Sequence, residues 1–379
     1  MPRDSRRFAL ALLLIAAMPV LGAAQPGRSW QHDSPVTFVR FLDSGKQLLT
    51  ASQDGSFRVF EAATGKELRR FGTALTPKTL GPSIAVLSPD GAMVAVVTQE
   101  GRIRLWETAT GKGNRTLEMN EANKAGVLGA ACAAFSPDGK TLAIRSKDQM
   151  IHLVSIATGR RLLSFGDAST LRPFHGNFFA GGANCDNSLL FVSDNLSLFA
   201  VHVTKDDMQQ RGVVRLWGIG ALKGKELLQS KFQPNNPFLD VRTGFGVASL
   251  AFTADAKTLL AWASSDGTAR LFDVSAEKEI RRLPAVQQGV YVAFVFSPDA
   301  KTLATRTSNS TAIRLHDVTT GKGLHVMGDA TVTPNKKWAG DAQTLAFSPD
   351  GRLLAEGSAN TVRVWDVASG KEKMPHKGE

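Results

Sequence analysis

Few residues in this chain stand at a spacing that chemistry requires. Gly139-Lys140-Thr141 has the ending of a phosphate-binding loop, but the earlier glycine of that motif would fall at Ala134, and the surrounding pattern is strand–turn–strand. Gly244-Phe245-Gly246 continues into Val247-Ala248-Ser249, so the third glycine of a dinucleotide motif is missing and a strand follows. No CxxC, HExxH or GxSxG occurs. The seven histidines, at 32, 152, 175, 202, 316, 325 and 376, never pair at ligand spacing. Asp206-Asp207 is an adjacent carboxylate pair that could hold a cation with backbone oxygens, although a solvated acidic loop tip accounts for it as well. Local motifs therefore give no cofactor, no resident metal and no catalytic residue. Any site must be assembled from distant segments.

What would position such segments is a repeat. At 345–371 the chain reads LAFSPDGRLLAEGSANTVRVWDVASGK, which is three short strands separated by tight turns. In Ser348-Pro349-Asp350-Gly351 the proline presets φ and the glycine accepts a positive φ. The third-strand anchor of that unit, Trp365, recurs as Phe60, Trp106, Val154, Trp217, Phe272 and His316, at intervals of 46, 48, 63, 55, 44 and 49 residues. Seven units follow, the fourth of them damaged, with its early strands sought from Leu189 onward. A fourth strand is expected after each Gly-Lys turn, as at 67–71 and 161–165. Four antiparallel strands at this period describe a propeller blade: a small sheet with two apolar faces that neighbours must cover.

The recurrent SPDGK, DGT-R-LW-D and TGK turns resemble the WD40-repeat β-propeller family over residues 30–372. The resemblance implies an all-β fold, a seven-bladed β-propeller of four-stranded antiparallel blades spanning 25–379. It also implies a hydrogen-bond network in which His32, Ser52 and Asp54 occupy the matching places in the first unit, with Asp266 in the equivalent turn of the fifth and Trp106, Trp217 and Trp365 on third strands. Phe60 stands where the first unit would carry tryptophan, so apolar packing is expected to carry more of the stability. Two segments compete to complete the last blade, 29–32 and 371–375. The first is favoured because Pro375 would end the second early.

Composition adds a compartment and a charge. Arg3, Arg6 and Arg7 precede an apolar run from Phe8 to Leu21 and small residues at Gly22 and Ala24, the pattern of a secretory signal over 1–24. The run is shorter than the ~20 residues that span a bilayer, so no membrane span is expected once the signal is removed. The location expected is periplasmic or extracellular. The chain carries +11, and loss of Arg3, Arg6, Arg7 and Asp4 with the leader would leave about +9. That balance favours acidic partners without implying specific nucleic-acid binding. Cys132 reads as a small core residue, and its pairing with Cys185 is open.

Length varies on one side only. Turns between strands one and two, and three and four, are short. The connections at 72–83, 118–128, 166–188, 229–246 and 328–342 are long, as is the two-to-three turn at 204–212. In this topology all emerge on the same face. That face would gather His175, Phe178, Asp206, Asp207, Arg211, Phe232, Asn235, Asn236, Phe238, Arg242, Lys336, Lys337 and Trp338, aromatic and charged residues amid amides, as recognition surfaces require. The expected function is binding of a protein or peptide by a non-catalytic exported scaffold. The alternative is an extracytoplasmic enzyme or metal-binding propeller using His175, Asp206 and Asp207, and an acidic polymer is a third partner class. Arg58, Arg104, Arg215, Arg270, Arg314 and Arg363 share one position, two before the anchor, where they would cover apolar surface or line a channel.

Overall fold

The computed structural model describes residues 30–72, 84–98, 102–117, 130–146, 150–165, 189–191, 197–203, 212–218, 239–242, 247–252, 258–263, 269–273, 278–283, 291–307, 310–328, 344–358 and 360–373. Among them everything regular is β-strand apart from one 3-10 turn at Asp43–Gly45. The strands run β1 (Val36–Leu42), β2 (Gln47–Ser52), β3 (Ser56–Glu61), β4 (Glu67–Gly72), then β5 (Ile84–Leu87), β6 (Met93–Val97), β7 (Ile103–Glu107), β8 (Gly113–Leu117). Next come β9 (Ala130–Phe135), β10 (Thr141–Ser146), β11 (Ile151–Ser155), β12 (Arg161–Phe165), followed by β13 (Leu189–Phe191), β14 (Ser197–Val203), β15 (Gly212–Gly218), β16 (Leu239–Arg242). The last are β17 (Val247–Phe252), β18 (Thr258–Ala263), β19 (Ala269–Asp273), β20 (Lys278–Arg282), β21 (Tyr291–Phe296), β22 (Thr302–Thr307), β23 (Ile313–Asp317), β24 (Gly323–Met327), β25 (Thr344–Phe347), β26 (Leu353–Ser358) and β27 (Thr361–Asp366). Consecutive strands pair antiparallel into six four-stranded sheets and, in β25–β27, one of three, an all-β arrangement consistent with a propeller.

The core lies between sheets rather than within any of them. Val86, Val97, Ile103 and Leu105 of the second sheet pack on Phe135, Leu142 and Ile144 of the third. Phe38, Leu49, Phe57 and Phe71 of the first cover Val94, with Trp106 half-buried against them. Leu315 and Met327 of the sixth meet Leu345, Leu354 and Trp365 of the seventh, and Val39 and Leu48 of the first meet Ala355 and Val364 of the seventh. Each such side chain contributes about 1.5–3 kcal/mol when fully buried. First strands lie side by side: β5 by β9, β9 by β13, β17 by β21, β21 by β25, and β25 by β1. At that last contact a Cβ on Gly357 would sit 2.8 Å from both Thr344 Cγ2 and Val36 Cγ1, so the sheets meet at backbone distance.

Two expectations about chain placement are corrected. In the fourth sheet the outer strand does not follow Lys225 but is Leu239–Arg242, paired Arg215↔Asp240 and Val213↔Arg242. Arg242 therefore belongs to a strand and not to a connection. The last sheet is completed by both ends of the chain rather than by the N-terminal segment alone. Gln31 bridges Thr361 and Trp365 bridges Glu372, with His32 N–H donating to Asn360 O at 2.7 Å and Lys373 N–H to Val364 O at 2.8 Å. Each short end satisfies half of the β27 edge, which would otherwise leave backbone donors and acceptors unpaired.

The SPDG turns are built identically. In the seventh unit Ser348 Oγ donates to Asp350 Oδ1 at 2.6 Å and accepts from Leu353 N–H at 2.9 Å, while Arg352 N–H donates to Asp350 Oδ1 at 3.0 Å. Ser136–Asp138 and Ser297–Asp299 repeat this. The residue after the aspartate takes φ of +68° at Gly139 and +71° at Gly351, and +59° at Ala300. An L-residue pays about 1–2 kcal/mol in that region, partly offset by glycine's greater freedom when unfolded. Ala300→Gly is expected to raise stability by about 0.5–1 kcal/mol and Gly139→Ala, whose new methyl meets nothing within 4 Å, to lower it by a similar amount. Thermal melts of the two variants should shift in opposite directions.

Candidate functional site

Antiparallel pairing fixes which strand ends share a side. In every four-stranded sheet the two-to-three turn and the exit of strand four lie at the end where strand one begins. Residues 219–238, which join β15 to β16 and include Phe232, Asn235, Asn236 and Phe238, therefore leave from the opposite end, and the expected connection at 229–246 is in this respect corrected. The connections between sheets and the two-to-three connection after β14 leave from the end where strand one begins. Of the residues expected there, His175, Phe178, Asp206, Asp207, Arg211, Phe232, Asn235, Asn236, Phe238, Lys336, Lys337 and Trp338 lie outside the described residues, as does Asp266. Arg242 closes β16. What is described at this end is a set of polar groups held by the strands themselves.

The densest set is in the first sheet. Thr50, in the middle of β2, has its hydroxyl 2.9 Å from His32 Nε2. Ser52, two residues on, donates instead to Asp54 Oδ1 at 2.8 Å, and Ser56 N–H donates to the same oxygen at 2.8 Å. The expected His32–Ser52–Asp54 network is thus divided: Ser52 and Asp54 form a turn, and His32 turns to Thr50. The reason is Phe60. Its ring packs on Trp30 at 5.1 Å and edge-on to His32 at 6.0 Å, and, having no N–H to offer, it leaves the Thr50 hydroxyl to the imidazole.

His32 is buried, its Nδ1 has no hydrogen-bond partner, and burial, with the Arg58 charge in second place, pulls its pKa from 6.5 to about 4. Burial opposes ionisation of Asp54 too, but hydrogen bonds from Ser56 and Ser52 outweigh it and hold that carboxyl below its ordinary range.

Elsewhere the same inner positions carry variants of one idea. In the sixth sheet His316 takes the anchor place and its Nε2 lies 3.1 Å from the Thr305 hydroxyl, with burial and then Arg314 lowering its pKa. In the third, His152 joins Ser146 at 3.3 Å and Ser164 at 2.8 Å. In the seventh, Trp365 is buried but its Nε1 has no partner, because Glu356 stands where Thr50 and Thr305 stand. Glu356 pairs across the sheet boundary with Arg306, the two side chains only 2% and 3% exposed. Trp106 is half-buried against Phe71, and Trp217 on β15 stands opposite Leu198 of β14 in the strand register.

Asp33, Arg306 and Glu356 escaped the reading of the sequence. A glutamate between Ala355 and Gly357 in an otherwise apolar strand was the available signal, since a charge there requires a counter-charge. Nothing local named its partner fifty residues earlier. Arg58, Arg104, Arg270, Arg314 and Arg363 sit on third strands, one strand in from the sheet edge or its bridged equivalent, and not on the first strands that lie side by side. Arg58 is buried, and Arg104, Arg270, Arg314 and Arg363 are half-buried, so their stems cover apolar surface. Cys132 is fully buried in β9, while Cys185 lies outside the described residues. Among the described residues no group of three His, Cys, Asp or Glu could hold a metal ion, and no helix is long and apolar enough to cross a membrane.

Two outcomes follow from these polar groups. Removing one partner of the Arg306–Glu356 pair, as in Arg306→Met, strands a buried carboxylate and is expected to cost about 3–5 kcal/mol, whereas Arg306→Met with Glu356→Leu should recover most of it; urea melts of single and double variants measure the difference. For His32, neutrality in the fold means stability is complete above pH 6.5 and falls as pH drops toward about 4, by on the order of 3 kcal/mol. His32→Gln should reduce the fall in melting temperature across that window, with His316 and, near its acid end, the aspartates held low by their turn hydrogen bonds contributing to what remains.

Against this geometry, the family model of the WD domain, G-beta repeat, matches residues 25–61 and 336–366. These are the two segments that the fold brings together, β1–β3 beside β25–β27. No curated protein matches the chain.

Proposed function

The chain is a WD40-repeat protein, and we propose that it is a non-catalytic, exported scaffold that binds a protein or peptide on the end from which the connections between its sheets leave. WD40 domains serve in general as platforms for protein contacts, and the observation that carries the reading here is that the long connections before β5, β9, β13 and β25 and the two-to-three connection after β14 share one end. Short, hydrogen-bonded turns occupy one end of the sheets, as at Ser348–Gly351 and Asp317–Gly321, with the connection from β15 to β16 as the exception there, and most of the irregular length leaves from the other.

In this reading the seven sheets are blades closed into a ring, each apolar face covered by the next. The run of sheet contacts supports it, from first to second through Phe71 and Trp106 and onward to the seventh, which returns to the first through β25 and β1. So does the sharing of the last edge by both chain ends. Partly exposed first-strand side chains at Ala85, Leu87, Ala134, Val295 and Phe347 are apolar, with Thr37 and Arg40 the polar exceptions. A lining of that kind offers packing area. Export rests on the basic, then apolar, then small-residue order of residues 1–24.

The test must use connections that leave from the proposed end. Replacing Phe178, Lys336, Lys337 and Trp338 by Ala should leave circular dichroism and the melting temperature unchanged. Affinity capture of the secreted fraction, read by mass spectrometry, should then lose the partner that the unaltered chain retains. Equal capture by both would remove this end from consideration. The alternative, a cation held by His175, Asp206 and Asp207, predicts that calcium or zinc raises the melting temperature of the unaltered chain and not of His175→Ala/Asp206→Asn/Asp207→Asn.

A further inference from the structure

In the first sheet two arginines face each other across neighbouring strands. Arg58 on β3 is directly paired with Arg70 on β4, a like-charge juxtaposition that is unfavourable unless an anion sits between them. The anion is supplied from outside the sheet. Asp33, in the segment that leads into β1, places one oxygen, Oδ2, 2.6 Å from Arg58 Nη2 and 2.8 Å from Arg70 Nη2. Arg58 is otherwise held by the Gln31 carbonyl at 2.8 Å, with Glu67 farther off at 3.6 Å. The same strand positions in the fifth sheet, Arg270 and Arg282, are also directly paired, and there Glu279 of the outer strand itself reaches both.

The first sheet differs in how loosely its bridging anion is bound. Asp33 is 76% exposed, while the Arg58 side chain is 8% exposed and its Nε is buried without a hydrogen-bond partner. A single carboxylate oxygen serves both guanidiniums, so the two-oxygen, two-fork geometry that arginine and carboxylate can form is only half used. The pair stands at the start of β3 and near the exit of β4, the end from which the long connections leave.

We propose that Arg58 and Arg70 form a carboxylate-receiving site, filled by Asp33 in the free protein, and that an acidic side chain of a bound peptide takes the place of Asp33. This deepens the scaffold reading and rests on it for the identity of the partner as a peptide. The arginines supply a fixed, desolvated charge on one side and an exposed, adjustable one on the other, at 47% for Arg70. Asp33 keeps the like charges from repelling until a better-placed carboxylate arrives. The net positive balance of the chain, +11, favours the approach of such a ligand.

The probe is a fluorescein-labelled hexaglutamate peptide, titrated by anisotropy against the full chain at low and high salt. Asp33→Asn, which removes the resident charge, should bind about tenfold more tightly than the unaltered protein, and Asp33→Asn/Arg70→Ala should lose that gain. Equal affinity for Asp33→Asn and the unaltered chain, or an undiminished gain in the double variant, overturns the proposal. Should Asp33→Asn melt early, Arg70→Ala alone decides, since its side chain is half exposed: a several-fold weakening supports the site and no change rejects it. Loop variants that abolish partner capture while the Asp33 and Arg70 variants leave hexaglutamate binding untouched would sink this site and leave the scaffold reading standing.

Discussion

A four-stranded antiparallel sheet of this composition is apolar on both faces and too small to fold back on itself. That single constraint governs the chain. Val39, Leu142 and Leu354 are each completely buried, yet every one of them is covered by a different sheet from its own as well as by its cross-strand neighbours. No sheet is stable alone, so stability is a property of sheet–sheet contacts, and the short turns at Ser88, Ser136, Ser297 and Ser348 serve to deliver the strands in register to those contacts.

Polar groups in this setting work as local adjustments to apolar packing. Where the third-strand anchor is Phe60 the hydroxyl of Thr50 turns to His32. Where it is His316 the hydroxyl of Thr305 is satisfied by the anchor itself. Where the hydroxyl is replaced by Glu356, the carboxylate must find Arg306 in the adjoining sheet, and the indole N–H of Trp365 is left without a partner. The same strand position thus accepts a hydroxyl, a carboxylate or an alkyl group as long as its neighbour changes with it. The Arg58–Asp33–Arg70 cluster belongs to this series, with one difference: its anion is exposed, and exposed anions can be exchanged.

The repeat was legible because it is local. Pro, Asp and Gly in the SPDG turns, the Gly-Lys turns, and the alternating runs that end in Trp106, Trp217 and Trp365 each announce their conformation within a few residues, and the described strands fall where those signals put them. The fourth unit was legible in its first three strands and not in its last. Beyond Lys225 the residues read as a plausible outer strand, but Leu239–Arg242 supplies the pairing for β15 instead, and strand pairing over such a span is decided by the whole sheet. The candidate surface was legible only as a side, and for Phe232, Asn235, Asn236 and Phe238 not even that, because the pairing of β16 with β15 puts their connection at the other end. Antiparallel pairing determines from which end the long connections leave, whereas the positions of His175, Asp206 or Trp338 relative to one another depend on contacts that no local pattern encodes.

Sequence by itself determined the strand-turn period and the antiparallel pairing of successive strands, because backbone preferences and alternation act over two to ten residues. Only the tertiary structure decided that both chain ends share the edge of β27, that His32 meets Thr50 rather than Ser52, that Glu356 finds Arg306, and that Asp33 bridges Arg58 and Arg70. Apart from the C-terminal bridge of Trp365 to Glu372, each of those joins residues separated by 18 to 50 positions or by nearly the whole chain. Charge and hydrogen-bonding capacity can be read from a residue type, but the partner that satisfies them is chosen by whichever group the packed sheets bring within three ångströms.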